Sequence, residues 1–278
     1  MATTELADRH IVITGANTGI GKETARALAA RGARLTVAAR SEAKTRPVLD
    51  ELAKATGNDR LGFIALDLGE LAAVRACADE LLRKGDPIDV LINNAGLAGP
   101  RGLTKDGFEL AFGTNHLGHF LLTTRLLPLL QQRPGARIVN VASASHYQAK
   151  RIDWDALRKP TASVTGMQEY AVSKLANVLF TKELARRYPA IAAHALHPGV
   201  IASDIWSRRI PRPFAWLMTR FMKSTADGAR TSIYCATAPG LTSGRYYTDE
   251  KEKRPSRLAD DEALAAELWR RSEAWVAA

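Results

Sequence analysis

Cysteine is scarce in this chain of 278 residues. Cys77 and Cys235 are the only two, each alone in its segment, so neither a disulfide framework nor a zinc-binding spacing can be built. A reducing, cytoplasmic setting is expected. Long hydrophobic runs are lacking too. The most apolar stretch, residues 120–130, is too short to span a bilayer and contains Arg125 and Pro128. It reads as a core helix, and no integral membrane segment is expected. Residues 1–10 hold no apolar stretch of the kind a secretion signal needs. Runs of one charge are also missing. Lysine and arginine outnumber aspartate and glutamate by 39 to 29, a formal net charge of +10, yet the basic residues are scattered among acidic ones. That pattern argues against nucleic acid as a partner and suits solubility together with attraction of an anionic small molecule.

What is present is an alternation. Short β-branched or apolar runs at 10–14, 35–39, 61–66, 90–92, 137–141 and 192–196 alternate with amphipathic stretches at 21–30, 42–55, 71–83, 115–131 and 169–187. Strands apolar on both faces, joined by helices, make repeated βαβ units and hence a parallel sheet covered on both sides. The expected fold class is α/β, a single doubly wound Rossmann-type domain with a parallel β-sheet flanked by helices, spanning residues 1–278. No repeat, low-complexity tract or linker marks a second domain. Two stretches break the rhythm. Residues 146–168, with Trp154, Pro160 and Gly166, form a connection longer than most in such units. Residues 203–223 gather Trp206, Phe214, Trp216, Met218, Phe221 and Met222 among Arg208, Arg209, Arg212 and Arg220. They follow the sixth strand, at the sheet edge where open α/β folds bind ligands.

Directly after the first strand comes Thr14-Gly15-Ala16-Asn17-Thr18-Gly19-Ile20-Gly21. Its glycines permit a tight turn and close backbone approach, and the helix it opens offers unpaired amides and a positive dipole end to a pyrophosphate. The spacing is not G-x-G-x-x-G, so the loop alone is a weak signal. After the second strand, nicotinamide enzymes select NAD with an acidic residue or NADP with a basic one. This chain has Ala38-Ala39-Arg40-Ser41 and then Lys44, with no carboxylate at the selecting position. A guanidinium suits a 2′-phosphate, so NADP(H) is the expected cofactor. Asn93-Asn94-Ala95-Gly96 follows the fourth strand and Ser143 ends the fifth. Tyr170 and Lys174 lie four apart at the start of a helical stretch and therefore share a face. A free tyrosine titrates near ~10. A lysine ammonium within a few ångströms is expected to lower that value toward a working range, and the Ser143 hydroxyl to hold a carbonyl oxygen as charge develops on it.

Taken together, these motifs resemble the short-chain dehydrogenase/reductase family over nearly the whole chain. Thr14 to Gly21 matches its cofactor loop, Asn93 to Gly96 its Asn-Asn-Ala-Gly motif, and Asn115, Ser143, Tyr170 and Lys174 its catalytic tetrad. The resemblance implies that Lys174 also binds the nicotinamide ribose and that Asn115 supports a water relay to Lys174. It implies too that Asp67 and Leu68 lie against adenine, and that His197-Pro198-Gly199-Val200-Ile201-Ala202-Ser203 wraps the nicotinamide end, with Ser203 where the family often has threonine. More narrowly, Asn115-His116-Leu117-Gly118-His119-Phe120, Ser173-Lys174-Leu175-Ala176-Asn177 and Leu268-Trp269-Arg270-Arg271 resemble the retinol dehydrogenase and WW-domain oxidoreductase branch. Many relatives associate through the helices that begin near Asn115 and Tyr170. The connection at 146–168 could cover that surface, so monomer and homodimer both stay open.

Other features have plainer readings. His116 with His119 and His194 with His197 invite zinc, but neither pair has a third ligand nearby, and no metal is expected. Asp153 and Asp155 flank Trp154 in a polar loop without an acid–base partner. The aromatic and methionine stretch is read as a substrate lid over an apolar pocket. Core packing at helical spacing and a basic amphipathic surface touching an anionic membrane remain alternatives to it. The expected activity is NADPH-dependent reduction of an aldehyde or ketone on a fairly lipophilic molecule, or the reverse alcohol oxidation. The rival is a non-catalytic NADPH-sensing module that binds a protein.

Overall fold

The computed structural model describes residues 5–199 and 224–277. The lid residues Trp206, Phe214, Trp216, Met218, Phe221 and Met222, and the nicotinamide-segment residues Val200, Ile201 and Ser203, lie outside the described residues.

The six strands read from the sequence form in place. They are β1 (His10–Thr14), β2 (Arg34–Ala39), β3 (Leu61–Ala65), β4 (Val90–Asn93), β5 (Arg137–Val141) and β6 (Ala192–His197). Between them run α1 (Gly19–Ala30), α2 (Glu42–Thr56), α3 (Leu71–Lys84), then α4 (Leu110–Phe112) leading through a π turn (Gly113–Leu117) into α5 (Gly118–Leu130), and α6 (Met167–Arg187). Four further helices and strands follow: α7 (Thr225–Thr237), which holds Cys235, β7 (Arg245–Thr248), β8 (Lys251–Glu252) and α8 (Glu262–Ala277), which carries Leu268-Trp269-Arg270-Arg271. The sheet is therefore eight-stranded, in the order β3-β2-β1-β4-β5-β6-β7-β8. It is parallel except for β8, which pairs antiparallel with β7. Asp249 and Glu250 make the connecting turn, both at positive φ, as a two-residue hairpin turn of right-handed strands demands.

The central strands β1, β4 and β5 are buried on both faces, and each face of the sheet has its own core. On one side β1 and β2 meet α1 and α2 through Ile11, Ile13, Leu28, Leu35 and Leu52, and α7 closes that layer against α1. On the other side lie α3, α5, α6 and α8. Residues 120–130 fall within α5, most of whose side chains are buried, so the apolar stretch is a core helix. Among the described residues no helix is long and apolar enough to cross a membrane.

The outer cover of α5 and α6 is α8, not the 146–168 connection. Trp269 of α8 is buried against Phe120, Phe180 and Tyr188, and Trp275 meets Phe108 and Phe112 edge-on. The connection contributes Trp154, whose ring packs near Trp275 and beneath the Arg271 guanidinium. Glu109 pins the same connection from below: it accepts from the Phe112 amide at 2.8 Å and from the Thr161 hydroxyl.

Candidate active site

The strand order reverses between β1 and β4, and at such a switch point the carboxyl ends of the strands leave a crevice. Thr14, Asn94 and Ser143 all stand at or just past those ends.

The cofactor loop is shaped by close approach. Gly15 has φ +67°, and a Cβ placed there would lie 2.8 Å from the Ala95 Cβ. A Cβ on Gly21 would lie 2.5 Å from both the Asn94 amide nitrogen and the Gly15 carbonyl oxygen. Only glycine fits at either position. Gly19, by contrast, faces open space. Thr18 makes no side-chain cap on α1, and no acidic residue sits in the first turn, so the helix dipole and its leading amides are turned to whatever fills that space. Asn17, Thr18 and Ile20 line this turn half-buried or exposed. These features fit a dinucleotide pyrophosphate. Arg40 and Lys44 are exposed past β2 and make no ion pair among the described residues, whereas the intervening Glu42 is held by Arg46. Ser41 caps α2 through the Lys44 amide at 3.3 Å. Asp67 spends one carboxylate oxygen on the Gly69 amide at 2.9 Å. Leu68 is buried, with its main chain directly beneath Gly118. Pro198 and Gly199 are half-buried at the end of β6.

The four proposed catalytic residues converge. Gly96 joins two of them: a Cβ on it would stand 3.2 Å from Asn115 Oδ1 and 3.4 Å from Lys174 Nζ. Asn115 is buried in the π turn, a distortion that is common at functional sites and replaces the regular helix start expected there. Its side chain is fully engaged. Nδ2 donates to Leu97 O at 2.9 Å and to Ser173 Oγ at 3.0 Å, and Oδ1 accepts from the Leu97 amide at 2.9 Å. Lys174, 3% exposed, donates to the Val141 carbonyl at 2.8 Å, and burial brings its ammonium down to about 8. Ser143 accepts from the Ser145 amide at 3.1 Å and donates to the Ser145 hydroxyl at 3.2 Å.

Tyr170 corrects one expectation. Its phenol lies above the ordinary value, because burial pushes it up further than the neighbouring Ser143 hydroxyl draws it down. The Lys174 ammonium sits 5.6 Å from the Tyr170 ring centroid, over its face, and does not lower the phenol. Desolvation raises the phenol and lowers the ammonium, and no attraction between the two offsets it.

Several supporting residues escaped the sequence reading. The Thr14 hydroxyl accepts from the Asn94 and Ala95 amides at 3.0 and 2.9 Å, locking the Asn-Asn-Ala-Gly turn onto β1. His146 donates from Nδ1 to Ser143 O at 2.7 Å and accepts from the Ser256 amide at 3.0 Å. Glu169, next to Tyr170, accepts from the Ala162 and Ser163 amides at 3.1 and 2.9 Å and so ties the 146–168 connection to the site. The proximity of His146 to Ser143 in sequence was the only available signal. The histidines once weighed as metal ligands serve elsewhere: His116 packs among Phe112, Phe120 and Phe180 with Nε2 on the Ser272 hydroxyl, and His194 is buried in β6.

The profile of a family described as short chain dehydrogenase matches residues 9–154. Retinol dehydrogenase 12 of Mus musculus is 42% identical over 271 residues, covering 95% of this chain and 85% of that protein. The chain belongs to the short chain dehydrogenase family. Within this family of oxidoreductases it is retinol dehydrogenase-like, as the narrower motifs implied. An uncharacterised protein from Mycobacterium paratuberculosis, known by its crystal structure, is 36% identical, with a TM-score of 0.78 covering 99% of this short chain dehydrogenase and 97% of that chain. A short chain dehydrogenase from Shigella flexneri 2a, solved in complex with NADP, shares the fold at 23% identity, with a TM-score of 0.71 covering 90% of this chain and all of that one.

Proposed function

We propose that this chain is an NADP(H)-dependent oxidoreductase that reduces an aldehyde or ketone of a fairly lipophilic small molecule, or oxidises the corresponding alcohol, with Tyr170 moving the proton. The observation that carries this reading is the convergence of the Asn115 and Lys174 side chains on Gly96, beside Ser143 and Tyr170 and one step from the glycine loop.

When bound, the nicotinamide supplies or takes up the hydride. The chain's residues do the rest. Tyr170, held protonated by burial, is the proton source for a carbonyl oxygen that gains negative charge during reduction. Ser143 stands within reach of the same oxygen as a second hydroxyl donor. Lys174, anchored on Val141 O, would hold the ribose of a bound nicotinamide. Arg40 and Lys44, free of ion pairs among the described residues, pair with the 2′-phosphate. The lipophilic substrate class rests on the family likeness to retinol dehydrogenases and on the aromatic composition of residues 203–223.

A carbonyl panel graded from short aldehydes through polycyclic ketones to all-trans-retinal, run with NADPH and with NADH, tests this reading. Faster turnover of the larger apolar members with NADPH is expected. Preference for small polar carbonyls, or for NADH, would overturn the substrate class or the role of Arg40 respectively.

A further inference from the structure

His119 is buried in α5, 2% exposed, and both of its ring nitrogens are committed. Nδ1 lies 3.0 Å from the main-chain carbonyl oxygen of Asn115, one turn earlier in the chain. Nε2 lies 2.9 Å from the Thr14 hydroxyl at the end of β1. A carbonyl oxygen can only accept, so Nδ1 carries the hydrogen and Nε2 is the acceptor. The Thr14 hydroxyl must then donate to Nε2, since its lone pairs already accept the Asn94 and Ala95 amides at 3.0 and 2.9 Å. Its other acceptor, Ile92 O at 3.5 Å, is the poorer one. Burial and the Lys174 charge bring the imidazole down to about 4, so it is neutral and this tautomer persists across the physiological range.

One ring thus links the strand that leads into the cofactor loop, the Asn-Asn-Ala-Gly turn and the π turn. The link matters because Asn115 Nδ2 is spent on Leu97 and Ser173, Oδ1 and Lys174 Nζ face the same Gly96, and the placement of the residue is set by the irregular backbone of residues 113–117. We propose that His119 is a positioning residue for catalysis, a neutral imidazole that spans Thr14 and the Asn115 carbonyl and fixes the π turn relative to the cofactor loop. This rests on the reading of Asn115, Tyr170 and Lys174 as the reacting site.

The two halves of the imidazole can be separated. In His119→Asn the side-chain amide falls where Nδ1 stood and keeps the donation to Asn115 O, but does not reach Thr14. In His119→Gln the amide reaches the Nε2 position and keeps the Thr14 contact, but leaves Asn115 O. Turnover is measured with NADPH and the fastest carbonyl of the panel above, per NADPH site titrated by fluorescence, beside a Tyr170→Phe control. A loss of one hydrogen bond of about 0.5–1.5 kcal/mol corresponds to about 2- to 13-fold in rate. Because each variant breaks one end of the span, the expected result is a kcat drop of that size in both, with KM for NADPH unchanged. Parent-like kcat per site in either variant would overturn the proposal. Parent-like turnover in Tyr170→Phe would remove the site reading and the proposal with it. Nitrogen-15 NMR of the parent's histidines gives a readout that needs no variant: His119 must carry its proton on Nδ1 at neutral pH, and a proton on Nε2 contradicts the assignment.

Discussion

The Lys174 ammonium is hydrogen-bonded to the carbonyl oxygen of Val141 at 2.8 Å, at the end of the strand that also delivers Ser143. That bond anchors the lysine but does not offset its burial, which brings the group down to about 8 from 10.5. The consequence for stability has a definite sign. Below pH ~8 both folded and unfolded chains hold the proton and the cost of burying the charge is present in full; between about 8 and 10.5 the unfolded chain binds more protons, so stability rises with pH. Tyr170 acts oppositely, because its raised phenol makes stability fall once pH passes the ordinary tyrosine value near ~10. The window for Lys174 is therefore pH 8 to 10. Without cofactor, the parent should gain melting temperature relative to Lys174→Met as pH rises through that window, as differential scanning fluorimetry of the two side by side would measure.

Arg40 is the selector for NADPH over NADH in this account. Replacing it, as Arg40→Ala, removes a charge-assisted contact of about 1.5–3 kcal/mol. KM for NADPH should rise by roughly 10- to 100-fold, while KM for NADH stays within about twofold. Steady-state kinetics with the two cofactors checks this directly.

Gly21 sits where backbone and Asn94 leave no room, 2.5 Å from each to a would-be Cβ. Gly21→Ala should force the loop from Asn94, cost about 1–3 kcal/mol of stability and abolish measurable NADPH binding. Gly19→Ala meets nothing within 4 Å, but its positive φ makes it a strain variant of smaller effect. Urea unfolding and NADPH fluorescence titration of both variants give the comparison.

Trp269 holds α8 on α5 and α6. Trp269→Ala should cost about 3–5 kcal/mol, read as a lowered urea midpoint. Its indole nitrogen is buried without a hydrogen-bond partner among the described residues, so Trp269→Phe removes an unsatisfied donor along with some volume. It should cost under about 1.5 kcal/mol.

Much of the architecture is legible in the residues because its signals are local. A β-branched run such as Ile11-Val12-Ile13 followed by a glycine turn announces a strand feeding a helix, and β1 and β5 appear with the bounds read from the sequence. The C-terminal third was less legible. The strand β7 is short, Arg245–Thr248, and owes its place to parallel pairing with β6, a long-range contact that leaves no periodicity. The 146–168 connection is one segment that could cover α5 and α6, but Trp269 and Trp275 provide that cover from α8, a packing choice that spacing cannot express. In the site, the tetrad residues were visible as motifs, while their energetics were not. Whether Lys174 lowers Tyr170 depends on the desolvation of both groups and on where the ammonium points, and Val141 O takes it away from the phenol. The roles of Thr14, His119 and His146 likewise arise from bonds across the sheet edge that no linear pattern records.

The most direct test of the central claim is turnover by Tyr170→Phe with NADPH and the best carbonyl of the panel, alongside NADPH binding by fluorescence. The phenyl ring keeps the shape of the ring and loses the hydroxyl that would supply the proton. The account predicts a fall in kcat of about 10²- to 10⁴-fold with the NADPH dissociation constant changed by less than about threefold. Turnover within about threefold of the parent would contradict it, because the proton would then come from another group.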